Sequence, residues 1–265
     1  MTGPIGLLPA AGRGVRFGAS GYAKELFPLL FEGAGETLEP RPICELALRA
    51  IRAAGADRCV AVVSPEKVEL LRVLAQGLEV GMSLAYVVQP SPRGLPDAIR
   101  AAGPWIRDRD VVFAMPDTVF MPTGALAEVH AARTTAGMDL MLGVFPVAEP
   151  KRLGPVEIGA DGSVLRVHDK PPTTALANSW GVASWSPRFT DFCVTWEEVR
   201  AGASEERALG HVFEAARVAG LSVGARFFEG GQFLDIGTPQ GLRAALAALA
   251  TQGVLVPDQA TTARG

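Results

Sequence analysis

A run of small residues, Ala10-Ala11-Gly12-Arg13-Gly14, follows an apolar stretch at residues 5–8 and is succeeded by two cations, Arg16 and Lys24. Glycine lets a backbone approach an anion closely and turn its N–H groups inward. Fixed cations neutralise charge that builds up during phosphoryl or nucleotidyl transfer. The combination suits a polyphosphate. Three further features could serve the same chemistry. They are the Gln89 amide in Gln89-Pro90-Ser91-Pro92-Arg93-Gly94-Leu95, Asp117 in Pro116-Asp117-Thr118, and Asp235 in Phe233-Leu234-Asp235-Ile236-Gly237-Thr238-Pro239. A phosphate loop, an amide and two acids, if they converge, can hold a nucleoside triphosphate with a divalent metal. Taken singly, each has a plainer reading. A glycine turn after a strand is common, Asp117 could cap the next segment, Asp235 could be a turn residue, and Gln89 a loop residue. A dinucleotide fingerprint is disfavoured, because it needs glycine where Phe17 stands.

The elements that must position these residues alternate along the first half of the chain. Apolar runs at 5–10, 59–63, 84–88 and 111–115 read as buried strands, and helical patterns fall at 43–54, 65–74, 95–102 and from Pro122 to about 135. That rhythm predicts parallel α/β layering with right-handed crossovers. In an open parallel sheet ligands bind at the carboxyl ends of the strands, where all four features fall. Residues 31–41 read as an exposed loop, and Pro42 as part of the first turn of the following helix. After a strand at 140–147 the rhythm changes. A hairpin at 156–158 and 164–168 turns on Gly159-Ala160-Asp161-Gly162. A strand at 180–185, helices at 186–199 and 204–219, a strand at 221–228 and a helix at 238–250 complete the pattern, with a loose tail at 251–265.

The 265 residues suit one large α/β domain, and 48% hydrophobic with 20% charged residues argues for a well-cored chain. A net charge of −3 gives no basic surface for nucleic acid, so phosphate binding must be local. Cys44, Cys59 and Cys193 are few and scattered, which fits reduced structural thiols. His130, His168 and His211 are scattered too, so a His/Cys metal site is not expected. No apolar run reaches the ~18 residues of a membrane span, and the N-terminus lacks a signal-peptide pattern. A cytoplasmic protein with no membrane partner is expected.

Taken together and in order, these motifs resemble the sugar-1-phosphate nucleotidyltransferase family, most closely its glucose-1-phosphate thymidylyltransferase branch. Ala23-Lys24-Glu25-Leu26-Phe27-Pro28 resembles the family's lysine motif, residues 89–95 its base-recognition segment, and residues 233–239 its late aspartate signature. Gly154–Glu157 and Asp169-Lys170-Pro171 resemble two sugar-side motifs. The resemblance implies a three-layer α/β/α, Rossmann-like nucleotidyltransferase fold. Its sheet would be mixed but mostly parallel, with an inserted sugar-binding β region. It implies a single domain over 1–250, with a nucleotide-binding half at 1–150 and a sugar-phosphate-binding half at 151–250. Roles follow by position. Ala10, Ala11, Gly12 and Gly14 would cradle phosphates, Arg16 and Lys24 would serve at the reacting phosphates, and Gln89 and Gly94 would read the base. Asp117 and Asp235 would hold Mg²⁺. Gly154, Glu157, Asp169, Lys170, Asn178 and Trp180 would line the sugar-phosphate site. The expected partners are a nucleoside triphosphate, with dTTP or UTP favoured, and a sugar 1-phosphate; a homo-oligomer is an option.

Several residues depart from the family's pattern. Val15 stands for a loop threonine, Thr118 for an asparagine and Asp169 for a glutamate, and Asn178-Ser179-Trp180-Gly181 replaces an apolar-Thr-Gly run. The nucleotide half is better preserved than the acceptor half. Two alternatives therefore stay open. One is cytidylyl or guanylyl transfer to a modified sugar, cyclitol or other phosphorylated acceptor. The other is an inactive regulator that binds nucleotide or sugar phosphate.

Overall fold

The computed structural model describes residues 3–12, 23–32, 39–75, 80–91, 93–196 and 208–251. The first half of the chain runs β1 (Ile5–Pro9), a 3₁₀ turn (Lys24–Leu26), β2 (Pro28–Glu32), β3 (Glu39–Pro42), α1 (Cys44–Ala53), β4 (Arg58–Val63), α2 (Val68–Ala75), β5 (Ser83–Val88), α3 (Leu95–Ile106), β6 (Val111–Ala114), β7 (Thr118–Met121) and α4 (Ala125–Ala136). The second half runs β8 (Leu140–Pro146), β9 (Val156–Ile158), β10 (Val164–Val167), β11 (Asn178–Trp185), α5 (Pro187–Thr195), α6 (Leu209–Val218), β12 (Val223–Phe227), β13 (Gln232–Asp235) and α7 (Pro239–Thr251).

β1 is buried at all its positions, as a central strand covered on both faces must be. It pairs in parallel with β4 on one side and β6 on the other, and β5 extends the sheet beyond β4. β11 lies antiparallel to both β6 and β8, and β12 pairs in parallel with β8. The result is a seven-stranded sheet of order β12-β8-β11-β6-β1-β4-β5. This is the mixed, mostly parallel sheet that the family resemblance implied. Successive side chains point to opposite faces. Leu7 and Phe113 therefore join Ile99, Phe189 and Phe213 in one layer, while Leu8 and Val112 join Leu48, Leu70 and Val129 in the other. Helices α3, α5 and α6 cover the first face, and α1, α2 and α4 the second.

The antiparallel direction of β11 decides where the site forms. Its N-terminal end, at Asn178, lies at the same edge as the C-terminal ends of β1, β4, β5 and β6. β8 runs opposite to β11, so it also ends there, and it hands the chain to the β9–β10 hairpin at that edge. β9 and β10 pair antiparallel around Gly162, whose φ of +82° suits glycine, and the Asp161 carboxylate accepts the Ser163 N–H.

Three expectations need correction. Residues 31–41 are not simply a loop: β2 and β3 pair as an antiparallel ribbon. Pro40 and Pro42 hid it from the sequence, but a two-stranded edge tolerates proline because only one side of the strand must donate. Pro42 ends that strand, and the helix begins at Cys44. The helix expected at 95–102 continues to Ile106 with Pro104 inside it, since proline removes one N–H but keeps a helical φ. The expected stretches 197–199 and 204–207 lie outside the described residues, as does the tail beyond 251.

Candidate active site

Lys24 opens the 3₁₀ turn that follows the glycine loop. Leu26 N–H bonds to Ala23 O at 2.9 Å, and Phe27 N–H bonds to Lys24 O at 3.1 Å, so the turn is closed on itself. Beneath it, Glu25 is buried and its carboxylate meets Lys67 Nζ at 2.5 Å, just ahead of α2. This pair anchors the turn to the sheet layer. The Lys24 ammonium points the other way and forms an ion pair with the Asp117 carboxylate.

Asp117 sits in the short turn between β6 and β7, where Thr118 Oγ1 donates to Met115 O at 3.2 Å. β7 pairs antiparallel with β13, placing Asp235 opposite Thr118. Ile236 N–H donates to Asp117 O at 3.2 Å. Two acids 118 positions apart in the chain are thus brought together, Asp117 in the turn just ahead of β7 and Asp235 at the end of β13. Gly237 N–H donates to Asp235 Oδ1 at 2.7 Å, which holds that carboxylate. A glycine is required nearby. A Cβ on Gly241 would lie 1.8 Å from Asp235 O, so only glycine lets the first turn of α7 approach the strand end. Thr238 Oγ1 caps that turn by accepting Gly241 N–H at 3.1 Å, with Pro239 at its start.

Burial alone would lower the Lys24 pKa. The neighbouring Asp117, Glu25 and Asp235 carboxylates outweigh it and hold the group above its ordinary value. Lys24 is therefore a permanent cation at neutral pH, set between two acids. Among the described residues no group of three or more His, Cys, Asp or Glu side chains could hold a metal ion. Asp117, in the turn ahead of β7, and Asp235, at the end of β13, do offer two carboxylates as hard oxygen donors. That set fits Mg²⁺, which commonly takes one or two carboxylates and completes its shell with phosphate oxygens and water.

Along the same sheet edge, Ala10 and Ala11 are buried at the end of β1, and Ala10 N–H bonds to Val62 O at 2.7 Å. Gly12 is exposed, and among the described residues a Cβ there would meet nothing within 4 Å. Gly14 and Arg16 lie outside the described residues. Gln89 directly follows β5 and is 3% exposed, with its backbone N–H on Val63 O. Its Nε2 donates to Asp97 Oδ2 at 2.6 Å, and Arg100 clasps Asp97 Oδ1 from the next turn of α3. Gly94 precedes α3 with φ +112°, a conformation that favours glycine.

The sugar-side candidates form a second group around β9 and the start of β11. Gly154 is buried against the Trp180 indole: a Cβ there would lie 2.2 Å from Trp180 Nε1. Trp180 itself is buried, edge-on to Phe213 at 5.1 Å and tilted against Phe113 at 6.4 Å, so most of its ring belongs to the core. Asn178 uses both ends of its amide on the Val156 backbone, at 2.9 and 3.1 Å, and so clamps β9 to β11. Glu157 meets His168 Nε2 at 2.6 Å, and Asp169 lies 3.9 Å from His211 Nε2. Lys170 is exposed with φ +41°, its N–H fixed on Leu153 O at 2.8 Å. The structure therefore joins Lys24, Asp117 and Asp235 directly, and sets Gln89 and the β9–β11 group at the same sheet edge.

Sequence reasoning passed over Glu25, Lys67, Asp97 and His168. A charged residue inside the apolar run Glu25-Leu26-Phe27 was a visible sign of a buried pair; nothing local pointed to Lys67 as its partner.

The nucleotidyl transferase family profile matches residues 19–252, most of the chain. The chain belongs to the nucleotidyl transferase family. Glucose-1-phosphate thymidylyltransferase of Neisseria meningitidis is 24% identical over 241 residues, covering 88% of this chain and 81% of that protein. The enzyme of the same name from Streptomyces griseus is 29% identical over 175 residues, covering 64% of this chain but 48% of that one. The chain thus spans about half the length of some relatives and most of others. Among solved structures, a UDP-glucose pyrophosphorylase from Acinetobacter baumanii superposes with TM-score 0.76 at 18% identity, covering 98% and 96% of the two chains. An inositol-1-phosphate CTP transferase from T. maritima superposes with TM-score 0.71 at 16% identity, covering 96% and 98%. These likenesses agree with the nucleotidyltransferase fold, and the family match agrees with the nucleotidyltransferase enzyme expected from the motifs. None of its described helices is long and apolar enough to cross a membrane.

Proposed function

We propose that this nucleotidyl transferase family member moves a nucleotidyl group from dTTP or UTP to a sugar 1-phosphate, releasing pyrophosphate. The observation that carries the reading is the Lys24 ammonium set between Asp117 and Asp235 at the carboxyl edge of the sheet, next to the glycine loop. The half of the chain at 1–150 holds the nucleotide, with Ala10, Ala11, Gly12 and Gly14 at its phosphates and Gln89 and Gly94 at its base. The half at 151–250 holds the acceptor through Gly154, Glu157, Asp169 and Lys170, above a floor formed by Trp180 and Asn178.

The chemistry follows from charge. A phosphate oxygen of the acceptor attacks the α-phosphorus in line, the bond to the β-phosphate oxygen breaks, and its electrons leave with pyrophosphate. The nucleophile is already an anion, so no general base is required. What the site must do is bring two anions together. Lys24 and Arg16 screen the reacting and departing phosphates, and Lys170 binds the acceptor phosphate. Asp117 and Asp235 would hold Mg²⁺, which would supply further charge stabilisation for the phosphates.

A modified acceptor is the second reading. It is favoured by Asn178 and Trp180, whose side chains are committed to Val156 and Phe213 where the family pattern has smaller residues. A matrix of five nucleoside triphosphates against several sugar 1-phosphates and a cyclitol phosphate, read by pyrophosphate release, tests both. Best turnover with dTTP or UTP supports the nucleotide assignment. Best turnover with plain glucose 1-phosphate would remove the modified acceptor.

A further inference from the structure

The Gln89 amide has two ends, and an amide in such a position normally reads a base either way round. Here one end is committed. Its Nε2 lies 2.6 Å from Asp97 Oδ2, and a carboxylate only accepts. The opposite orientation would set two oxygens against each other. Asp97 cannot turn away, because Arg100 Nε and Nη2 hold its Oδ1 at 3.1 and 2.5 Å. The chain Arg100–Asp97–Gln89 therefore has one donor-to-acceptor direction, and it ends on Gln89 Oε1. Among the described residues nothing donates to that oxygen. Gln89 leaves the sheet two strands from β1, about 10 Å from the end of β1 at the usual strand spacing. That is the reach of a nucleoside between base and phosphates.

We infer that Asp97, itself held by Arg100, is a positioning residue that fixes the Gln89 amide with its carbonyl oxygen toward the base, and so selects a base carrying an N–H at ring position 3. The inference rests on the reading that Gln89 meets the base. Uracil and thymine carry that N3–H. Cytosine presents a lone pair at N3, which would face the lone pairs of Oε1. The selection thus lies in a residue that never touches the nucleotide.

Replacing Asp97 by Asn makes a specific forecast. Arg100 keeps the one remaining oxygen of residue 97, so Nδ2 now faces Gln89. The glutamine amide must turn over to accept from it, and it then presents Nε2–H to the base. The preference should reverse rather than merely weaken. Equilibrium binding of UTP, dTTP and CTP to the full chain, measured by calorimetry with Mg²⁺, needs no knowledge of the acceptor. The natural chain should bind UTP and dTTP about 10- to 100-fold more tightly than CTP. Asp97→Asn should bring that ratio below one. Asp97→Asn with Arg100→Ala frees the new amide to turn, and the ratio should settle near one. Asp97→Ala, which removes the constraint altogether, should do the same and serves if Asp97→Asn does not fold.

Gln89→Leu separates the two layers of the argument. If Gln89→Leu erases the preference while Asp97→Asn and Asp97→Ala both keep it within twofold of the natural chain, the positioning role is overturned and the base contact stands. If Gln89→Leu leaves the preference unchanged, Gln89 does not read the base and both fall.

Discussion

Replacing Lys24 by Met keeps most of the side-chain volume and deletes one charge. In the natural chain the ammonium pairs with Asp117 and feels Asp235 as well, with Lys24 and Asp117 side chains 15% and 12% exposed. An ion pair at about 4 Å in a medium of effective dielectric ~20 interacts by about 4 kcal/mol, before desolvation of the ammonium offsets part of it. Breaking a buried pair by removing one partner costs about 3–5 kcal/mol, and the residual exposure here argues for about 3 kcal/mol. For a chain of this size that is a fall of about 6–12 °C in melting temperature. The loss should appear in EDTA and shrink with Mg²⁺, because a divalent cation can take over the screening of the two acids. The Mg²⁺-induced rise in melting temperature should therefore be larger for Lys24→Met than for the natural chain. Turnover should not recover with the stability. A cation aimed at the reacting phosphates is worth about 10²-fold or more in rate. Thermal denaturation with and without Mg²⁺, beside pyrophosphate release, measures both. Turnover within twofold of the natural chain would mean that the loop and its lysine have been misread. An unchanged melting temperature in EDTA would mean that the ion pair does not hold the site together.

Other outcomes follow from the same geometry. Lys67→Met strands the Glu25 carboxylate, which is 1% exposed, and should cost about 3–5 kcal/mol in chemical denaturation; adding Glu25→Gln should recover most of it. If Asp235 is one of two carboxylates that hold Mg²⁺, as proposed, Asp235→Asn removes its negative charge while keeping one oxygen, and should raise the Mg²⁺ concentration for half-maximal activity at least about tenfold, read by metal titration. His130, bonded to Ser184 at 2.9 Å, is held below its ordinary pKa by burial and by Arg133, with Asp110 opposing. The unfolded chain then takes up the proton first. The stability is present above the unfolded value of about 6.5 and is lost as pH falls through it toward the folded value. Melting temperatures between about pH 7.5 and 5.5 should fall more steeply for the natural chain than for His130→Gln.

Much of the first half was legible because its signals are local. Strands such as β1 and β4 are continuous apolar runs, and α1, α3 and α4 carry helical spacing between turn residues. β7 went unseen because Thr118–Met121 is short and pairs only with β13, far along the chain. That pairing is what brings Asp235 to Asp117, so the order of motifs named both acids while only the structure sets them side by side. The β2–β3 ribbon was hidden by its prolines. On the acceptor side, residue type suggested Trp180 and Asn178 as contacts, whereas packing shows each already holding the fold through Phe213 and Val156. The three cysteines are free and buried, as their scatter suggested, and burial pushes the Cys44 thiol up to about 12. The Glu25–Lys67 and Gln89–Asp97 contacts lay beyond reach because they depend on which loops face each other. No spacing within the chain encodes that.

Under the proposed function Lys24, Asp117 and Asp235 form a working transfer site rather than a sensor for phosphates. Mass spectrometry of the products formed from the preferred triphosphate, an acceptor phosphate and Mg²⁺ tests it most directly. A nucleoside diphosphate ester of the acceptor and pyrophosphate should form in equal amounts, with both lost on removing Mg²⁺ and both reduced together in Lys24→Met. Tight binding of triphosphate with neither product formed, across the whole substrate matrix, would contradict it.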